Sequence, residues 1–236
     1  MNRAVVLDIE GTVSPISAVQ QQLFPYARAQ FATWVRRTEP EVMVVVGQVR
    51  AALGDPTADL DTVAAQLAAW SDADVKAGPL KTMQGLIWRH GFHTGQLQAV
   101  LYPDVPPALD RWVAEGTGVY VYSSGSELAQ RLWFAHTQFG DFSDRIRGHF
   151  DTRSAGPKGE AHSYHTIAAS IDLPPQNILF LSDALAELNA AREAGWQTLG
   201  VSRPEDGAPD LTGHPSVTTL NNIAARAGPP AADRRS

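Results

Sequence analysis

Two carboxylates two residues apart, Asp8 and Glu10, follow directly on the first apolar run, Ala4-Val5-Val6-Leu7, and lead into Gly11-Thr12. Three further groups stand at comparable places. Ser123-Ser124 closes Gly118-Val119-Tyr120-Val121-Tyr122, Ser182-Asp183 closes Asn177-Ile178-Leu179-Phe180-Leu181, and Lys158 follows a Gly-Pro step. Each alone has a bland reading. Asp8 can cap a turn, and Ser124 or Ser126 can N-cap the helix that begins at Glu127. Together they describe two or three carboxylates, a cradle of hydroxyl and N–H groups, and one ammonium. Oxygen ligands without His or Cys suit Mg²⁺, which binds through one or two carboxylates and substrate phosphate oxygens. Carboxylates repel a phosphate dianion, and a cation between them removes the conflict. Asp8 can then attack phosphorus as a carboxylate nucleophile, with the cradle and Lys158 neutralising charge.

The elements that must position these groups are legible in the periodicity. Short apolar runs rich in β-branched residues, at 4–7, 118–122, 177–181 and 197–201, read as buried strands. The run 148–152 reads as a short strand or edge, and a pairing segment is expected near 217–220. Helical patterns lie between the strands, so the expected fold is α/β with a doubly wound, mostly parallel sheet. In such sheets ligands sit outside the carboxyl ends of the strands, which is where the polar groups fall. No period-2 strand is read between about 17 and 99. That stretch is expected to be an inserted all-helical unit, with helices over about 18–35, 40–53, 60–70 and 80–91. Pro25 is expected to kink or divide the first, Ser17 to N-cap it, and Gly54-Asp55-Pro56 to stop the second. The expected domains are an α/β core, 1–16 and 100–224, a helical insert, 17–99, and a frayed tail, 225–236. Lys158 is expected to open a helix that runs to about Ile171. His162 and His165 share a face of that helix and are read as packing or surface residues.

Composition narrows the partners. A net charge of -6 argues against nucleic acid or an anionic membrane surface. The chain has no Cys, hence no disulfide, thiolate nucleophile or Cys-based zinc site, and a reducing cytoplasm is the simplest setting. Four apolar residues before Asp8 are too few for a signal-peptide core, and no window approaches a membrane span, so a soluble intracellular protein is expected. The chain is read as a monomer. Its basic residues are unevenly chosen, with only Lys76, Lys81 and Lys158 among 19 Lys and Arg.

Asp8-x-Glu10-Gly11-Thr12, Ser123, Lys158 and Ser182-Asp183 resemble the four motifs of the haloacid dehalogenase superfamily of phosphatases. A Glu at the second acidic position is unusual there. The stretches DIEGT-x-SPIS, LFPYA, GPLK-x-MQG-x-IW, YPDVPPAL-x-RW, VYVYSSGS, FDT, K-x-EAHSY-x-x-IA and ILFLSD-x-x-x-EL-x-AAREAGW, spread from Asp8 to about Arg203, resemble the enolase-phosphatase (acireductone synthase) family of methionine salvage. The resemblance implies that Asp8 is nucleophile and metal ligand. It implies that Glu10 binds one Mg²⁺ per subunit through its backbone carbonyl and sits at the general acid/base position. Asp183 would complete the metal site, and Ser123, Ser124 and Lys158 would hold substrate phosphate, with Lys158 also catalytic. The implied substrate is 2,3-diketo-5-methylthiopentyl-1-phosphate, enolised and then dephosphorylated to the acireductone, with the insert as a cap that selects it. Val13, Pro15 and Ala18 depart from the family's commoner residues, a change expected to alter cap hinging. Asn189 stands where Asp is usual and is expected to weaken a charge behind the metal.

Three other readings stay open on the sequence. One is a phosphatase for another small monoester of phosphoserine type. A second is a non-enzymatic receiver domain, which also uses Asp, Mg²⁺, Ser or Thr and Lys but spans only ~120 residues. The third is a dehalogenase, which has little use for Asp183.

Overall fold

The computed structural model describes residues 3–221 and Ile223; the tail expected over 225–236 lies outside the described residues. Six parallel strands form one sheet in the order β3-β2-β1-β4-β5-β6, with β1 Ala4–Leu7, β2 Gly118–Tyr122, β3 Gly148–Phe150, β4 Ile178–Ser182, β5 Gln197–Val201 and β6 Ser216–Val217. Asp151 and Thr152 fall beyond β3, and β6 starts and ends earlier than the periodicity placed it. All four residues of β1 are buried, as the apolar run of a central parallel strand requires.

The chain divides into two compact units, residues 1–16 with 100–236 and residues 17–99. The first holds the sheet with α6 (Val105–Ala114), α7 (Glu127–Ala135), α8 (Ala161–Ser170) and α9 (Leu185–Glu193). On one face of the sheet, Tyr164 packs edge-on against Tyr122, Phe180 and Trp196 with ring centroids 5.5, 5.2 and 5.3 Å away. That aromatic cluster fixes α8 against the strand ends that carry the polar residues.

The second unit is helical, with α2 (Phe24–Trp34), α3 (Pro40–Leu53), α4 (Leu60–Asp72) and α5 (Gly78–His93). α2 packs on α4 and α5, and α3 on α4 and α5. Val42, Val45, Val49, Val63, Leu67, Met83 and Ile87 fill the core between them. Asp59 caps α4 by accepting from the Thr62 N–H at 2.7 Å, and Gly54, at φ 69°, ends α3 in the left-handed region.

One expectation about the start of this unit is corrected. Helix begins at Ile16 in α1 (Ile16–Ala18), so Ser17 lies inside it and is not its cap. The reason is remote in sequence: the Asp206 carboxylate accepts the Ile16 N–H, at 3.2 Å to either oxygen. Pro25 stands where the helical run divides, as expected. A π-turn over Val19–Leu23 precedes it, which places Pro25 in the first turn of α2, where its missing N–H costs little.

Arg203 is the main polar tie of the α/β unit. Its guanidinium is buried and donates from Nε and Nη2 to the Thr12 carbonyl at 2.9 and 2.8 Å. It also donates from Nη1 to Asp104 at 2.7 Å and stacks 4.2 Å over the Tyr102 ring. Asp104 in turn accepts from Thr219 Oγ1 and the Leu220 N–H, which seats the chain after β6.

Arg203→Leu leaves the Asp104 carboxylate in place without its cation, and denaturant unfolding is expected to show a loss of about 3–5 kcal/mol. A second outcome concerns pH. Burial, helped by the Arg131 charge, pushes buried His149 down to about 4. The unfolded chain binds this proton first, so stability is expected to fall as pH drops from about 6.5 towards about 4, by up to ~3 kcal/mol. His149→Phe should flatten that part of the stability profile.

Candidate active site

The strand register brings the chemistry together. Leu7 pairs with Val121 of β2 on one side and with Leu181 of β4 on the other. The next residue, Asp8, keeps the ladder through its N–H to the Leu181 carbonyl at 3.0 Å. Asp8 therefore leaves the middle of the sheet between the ends of β2, where Ser123 and Ser124 follow, and β4, where Asp183 follows. Asp8 and Ser123 are buried, and Ser124 is exposed.

Lys158 arrives from the opposite side of the molecule's sequence and meets two carboxylates. Its Nζ lies 2.5 Å from Asp8 Oδ1 and 2.7 Å from Glu187 Oε2. Side-chain exposure is 10% for Lys158 and 8% for Asp8, so the cluster is shielded from water. Burial disfavours the ammonium, but the Asp8 and Glu187 charges outweigh it and hold Lys158 protonated. The Glu187 carboxyl is raised above the usual range by its burial and by Asp8. It also accepts from Ser182 Oγ at 2.9 Å, and that hydroxyl accepts from the Ala184 N–H.

Asp183 sits beside this cluster and is pushed up to about 6 by burial and by the Asp8 charge. Gly11 explains how close the two acidic segments come. At φ +68°, a Cβ built there would stand 2.2 Å from Asp183 Oδ2. The Glu10–Gly11 backbone thus passes Asp183 at a distance that only glycine permits. A cavity of about 280 Å³, lined by residues that include Gly11, Ile16, Asp183, Arg203 and Asp206, opens next to it. Asp206 adds a third carboxylate on this side and accepts from the Tyr102 hydroxyl.

Among the described residues no three His, Cys, Asp or Glu side chains form a metal-ligating group. The donor set is narrower: two carboxylates, Asp8 and Asp183, with the Glu10–Gly11 backbone alongside. That set fits Mg²⁺, which keeps waters and takes few protein ligands. The raised Asp183 carboxyl points the same way, because crowded acids in a dry site favour a proton until a cation replaces it.

Two expectations about local structure are corrected, those for Lys158 and Asn189. Lys158 does not open a helix: Glu160 is extended and α8 starts at Ala161, so Lys158 lies in the preceding loop. The N-terminus of α7 is capped by Ser126, as one reading of the sequence had it, with Ser126 Oγ accepting from the Ala129 N–H and Asp151 from the Glu127 N–H. Asn189 is exposed and its Oδ1 accepts from Arg192 at 2.7 Å and lies 3.0 Å from His214 Nε2. The acid that backs the site is Glu187, which the sequence reading passed over. Asp183 precedes α9 and Glu187 lies in its first turn, so no helical spacing links the two, and only the fold brings Glu187 to Lys158.

The fold and the arrangement define a haloacid dehalogenase-like hydrolase, and the model of that family matches residues 2–195. An Enolase-phosphatase E1 of Frankia alni is 47% identical over 94% of this chain and 95% of its own length. One of Streptomyces avermitilis is 50% identical over 85% of each chain. The chain belongs to the enolase-phosphatase family of these hydrolases. The crystal structure of the UTR4 protein of Saccharomyces cerevisiae has the same fold, with a TM-score of 0.82 and 33% identity over 94% of this chain and all of that one. Likeness of this extent sets aside the receiver-domain reading. A dehalogenase structure matches with a TM-score of only 0.54 at 15% identity and shares the fold.

Asn189→Asp is expected to leave turnover within about twofold, while Glu187→Ala lowers it more than tenfold by leaving Lys158 one carboxylate short. Steady-state phosphate release from both variants checks this. The opposite order would return the second acid's role to position 189.

Proposed function

We infer that this protein is an enolase-phosphatase: it enolises 2,3-diketo-5-methylthiopentyl-1-phosphate and hydrolyses its phosphate ester, giving the acireductone of methionine salvage. The observation that carries the site assignment is the buried Asp8 carboxylate at the end of β1 with the Lys158 ammonium 2.5 Å away. Among the described residues no helix is long and apolar enough to cross a membrane, in keeping with a cytoplasmic enzyme for one small phosphorylated substrate.

Asp8 is the nucleophile. Its free oxygen attacks phosphorus, the ester oxygen leaves, and an acyl phosphate on Asp8 forms and is then hydrolysed. Glu10 delivers a proton to the leaving oxygen and afterwards takes one from the attacking water. Ser123, Ser124 and Lys158 hold the phosphate oxygens, and the ammonium meets charge that grows as phosphorus is transferred. Asp8, Asp183 and the Glu10 backbone carbonyl would hold one Mg²⁺, which neutralises the repulsion between carboxylate and phosphate. Glu187 and Ser182 keep Lys158 charged and directed at Asp8.

These groups serve almost any phosphate monoester, so selectivity is assigned to the helical unit, residues 17–99. Its exposed apolar side chains, Phe24 among them, suit a thioether tail and offer little to the ammonium and carboxylate of phosphoserine. Leaving those charges unpaired in a closed site costs several kcal/mol.

Asp8→Asn is expected to fold and to lose phosphate release by roughly a thousandfold or more. Activity above about a tenth of wild type would remove Asp8 from the nucleophile's role. With wild-type enzyme and Mg²⁺, the diketone phosphate should be preferred over phosphoserine by ~100-fold or more, and EDTA should stop turnover. Equal turnover of the two substrates would leave only the phosphatase class standing.

A further inference from the structure

We propose that Tyr122, Ser163 and Tyr164 form a hydroxyl clamp on the Gly156-Pro157-Lys158 loop and act as positioning residues for the Lys158 ammonium. The inference rests on the phosphate-handling role proposed for Lys158.

Three consecutive carbonyls of this loop each accept one side-chain hydroxyl. Tyr122 donates to Gly156 O at 2.7 Å, Ser163 to Pro157 O at 2.7 Å and Tyr164 to Lys158 O at 2.8 Å. All three donors are fully buried. They come from two elements, the end of β2 and the first turn of α8, so the clamp ties the loop to the sheet and to a helix at once.

The loop has one backbone bond of its own onto these three carbonyls, from the Glu160 N–H to Pro157 O at 3.2 Å. Pro157 has no N–H, and the helix that would otherwise order these residues starts only at Ala161. Gly156, at φ +114°, is drawn so near Ser163 that a Cβ there would stand 2.5 Å from its Oγ. Packing alone does not call for the hydroxyls, because Phe fills the Tyr122 and Tyr164 positions of an aromatic cluster equally well. What the hydroxyls add is the plane of each peptide unit, and with it the direction in which the Lys158 side chain departs. That direction matters because Nζ must meet Asp8 at 2.5 Å and Glu187 at 2.7 Å together. A displacement of about 1 Å in such a site costs on the order of 100-fold in rate. Tyr122 supports the ammonium twice, since its ring also lies 5.8 Å from Lys158 Nζ.

The test is a double-mutant cycle between Tyr164→Phe and Lys158→Ala, read as kcat/KM for phosphate release from the diketone phosphate, with Tm measured on each variant. Tyr164→Phe alone should lower kcat/KM by about 10- to 100-fold, and Lys158→Ala by more than about 100-fold. In the Lys158→Ala background, Tyr164→Phe should cost less than about threefold, because the group it positions is gone. The same loss in both backgrounds would mean that the hydroxyl acts on the site by another route, which overturns the clamp and leaves Lys158 its role. A loss below about twofold in the wild-type background overturns it as well. A Lys158→Ala enzyme with full activity removes the Lys158 reading and the clamp together. Should Tyr164→Phe fail to fold, Ser163→Ala removes the central hydroxyl with a smaller change in volume and carries the same expectations.

Discussion

One ammonium shared between two buried carboxylates is the interaction on which the rest of the site depends. Lys158, Asp8 and Glu187 are largely shielded from water, and one cation there faces two carboxylates next to a third acid, Asp183. Breaking a buried pair by removing one member costs far more than the pair contributes. Such a cluster is poor economy for stability and good preparation for chemistry. A surplus of negative charge in a dry place attracts a cation, and a cation together with Lys158 turns the site into one that accepts phosphate.

The fold serves this cluster from three directions. Parallel register sets Asp8 between β2 and β4, and no side-chain contact is needed to place it. Arg203 holds the Thr12 carbonyl, which fixes the far end of the loop that starts at Asp8. Gly11 brings that loop onto Asp183. The same short segment around Arg203 and Asp206 also holds Ile16, Tyr102 and Asp104, where the chain leaves for the helical unit and returns from it. Placement of the catalytic loop and seating of both connections thus share one set of polar contacts.

Much of this was legible in the sequence. Four buried strands announce themselves as short apolar runs, and the polar residue after each falls at one sheet edge by the rule of parallel α/β topology. The individual helices of the insert showed their 3.6 period and their Gly stop. What escaped were interactions between residues far apart in the chain. Asp206 moves the helix start to Ile16 across 190 residues, a contact no local pattern records. Lys158 looked like a helix start because Ala161 to Ile171 is helical in pattern, whereas three hydroxyls, two of them in that helix, hold it in the loop before it. Glu187 was hidden for a different reason. An acid near the start of a helix has an ordinary explanation in the helix dipole, and only the ion pair in the folded chain shows that this one faces Lys158.

The central claim is that the Asp8 carboxylate itself takes the phosphoryl group. Borohydride reduction of enzyme quenched during turnover of the diketone phosphate, followed by peptide mass spectrometry, measures this directly, since an acyl phosphate is reduced and a free carboxylate is not. The account predicts homoserine at position 8 in enzyme quenched with substrate and Mg²⁺, and aspartate there without substrate. Reduction at any other carboxylate, or none in enzyme held at saturating substrate, would contradict it.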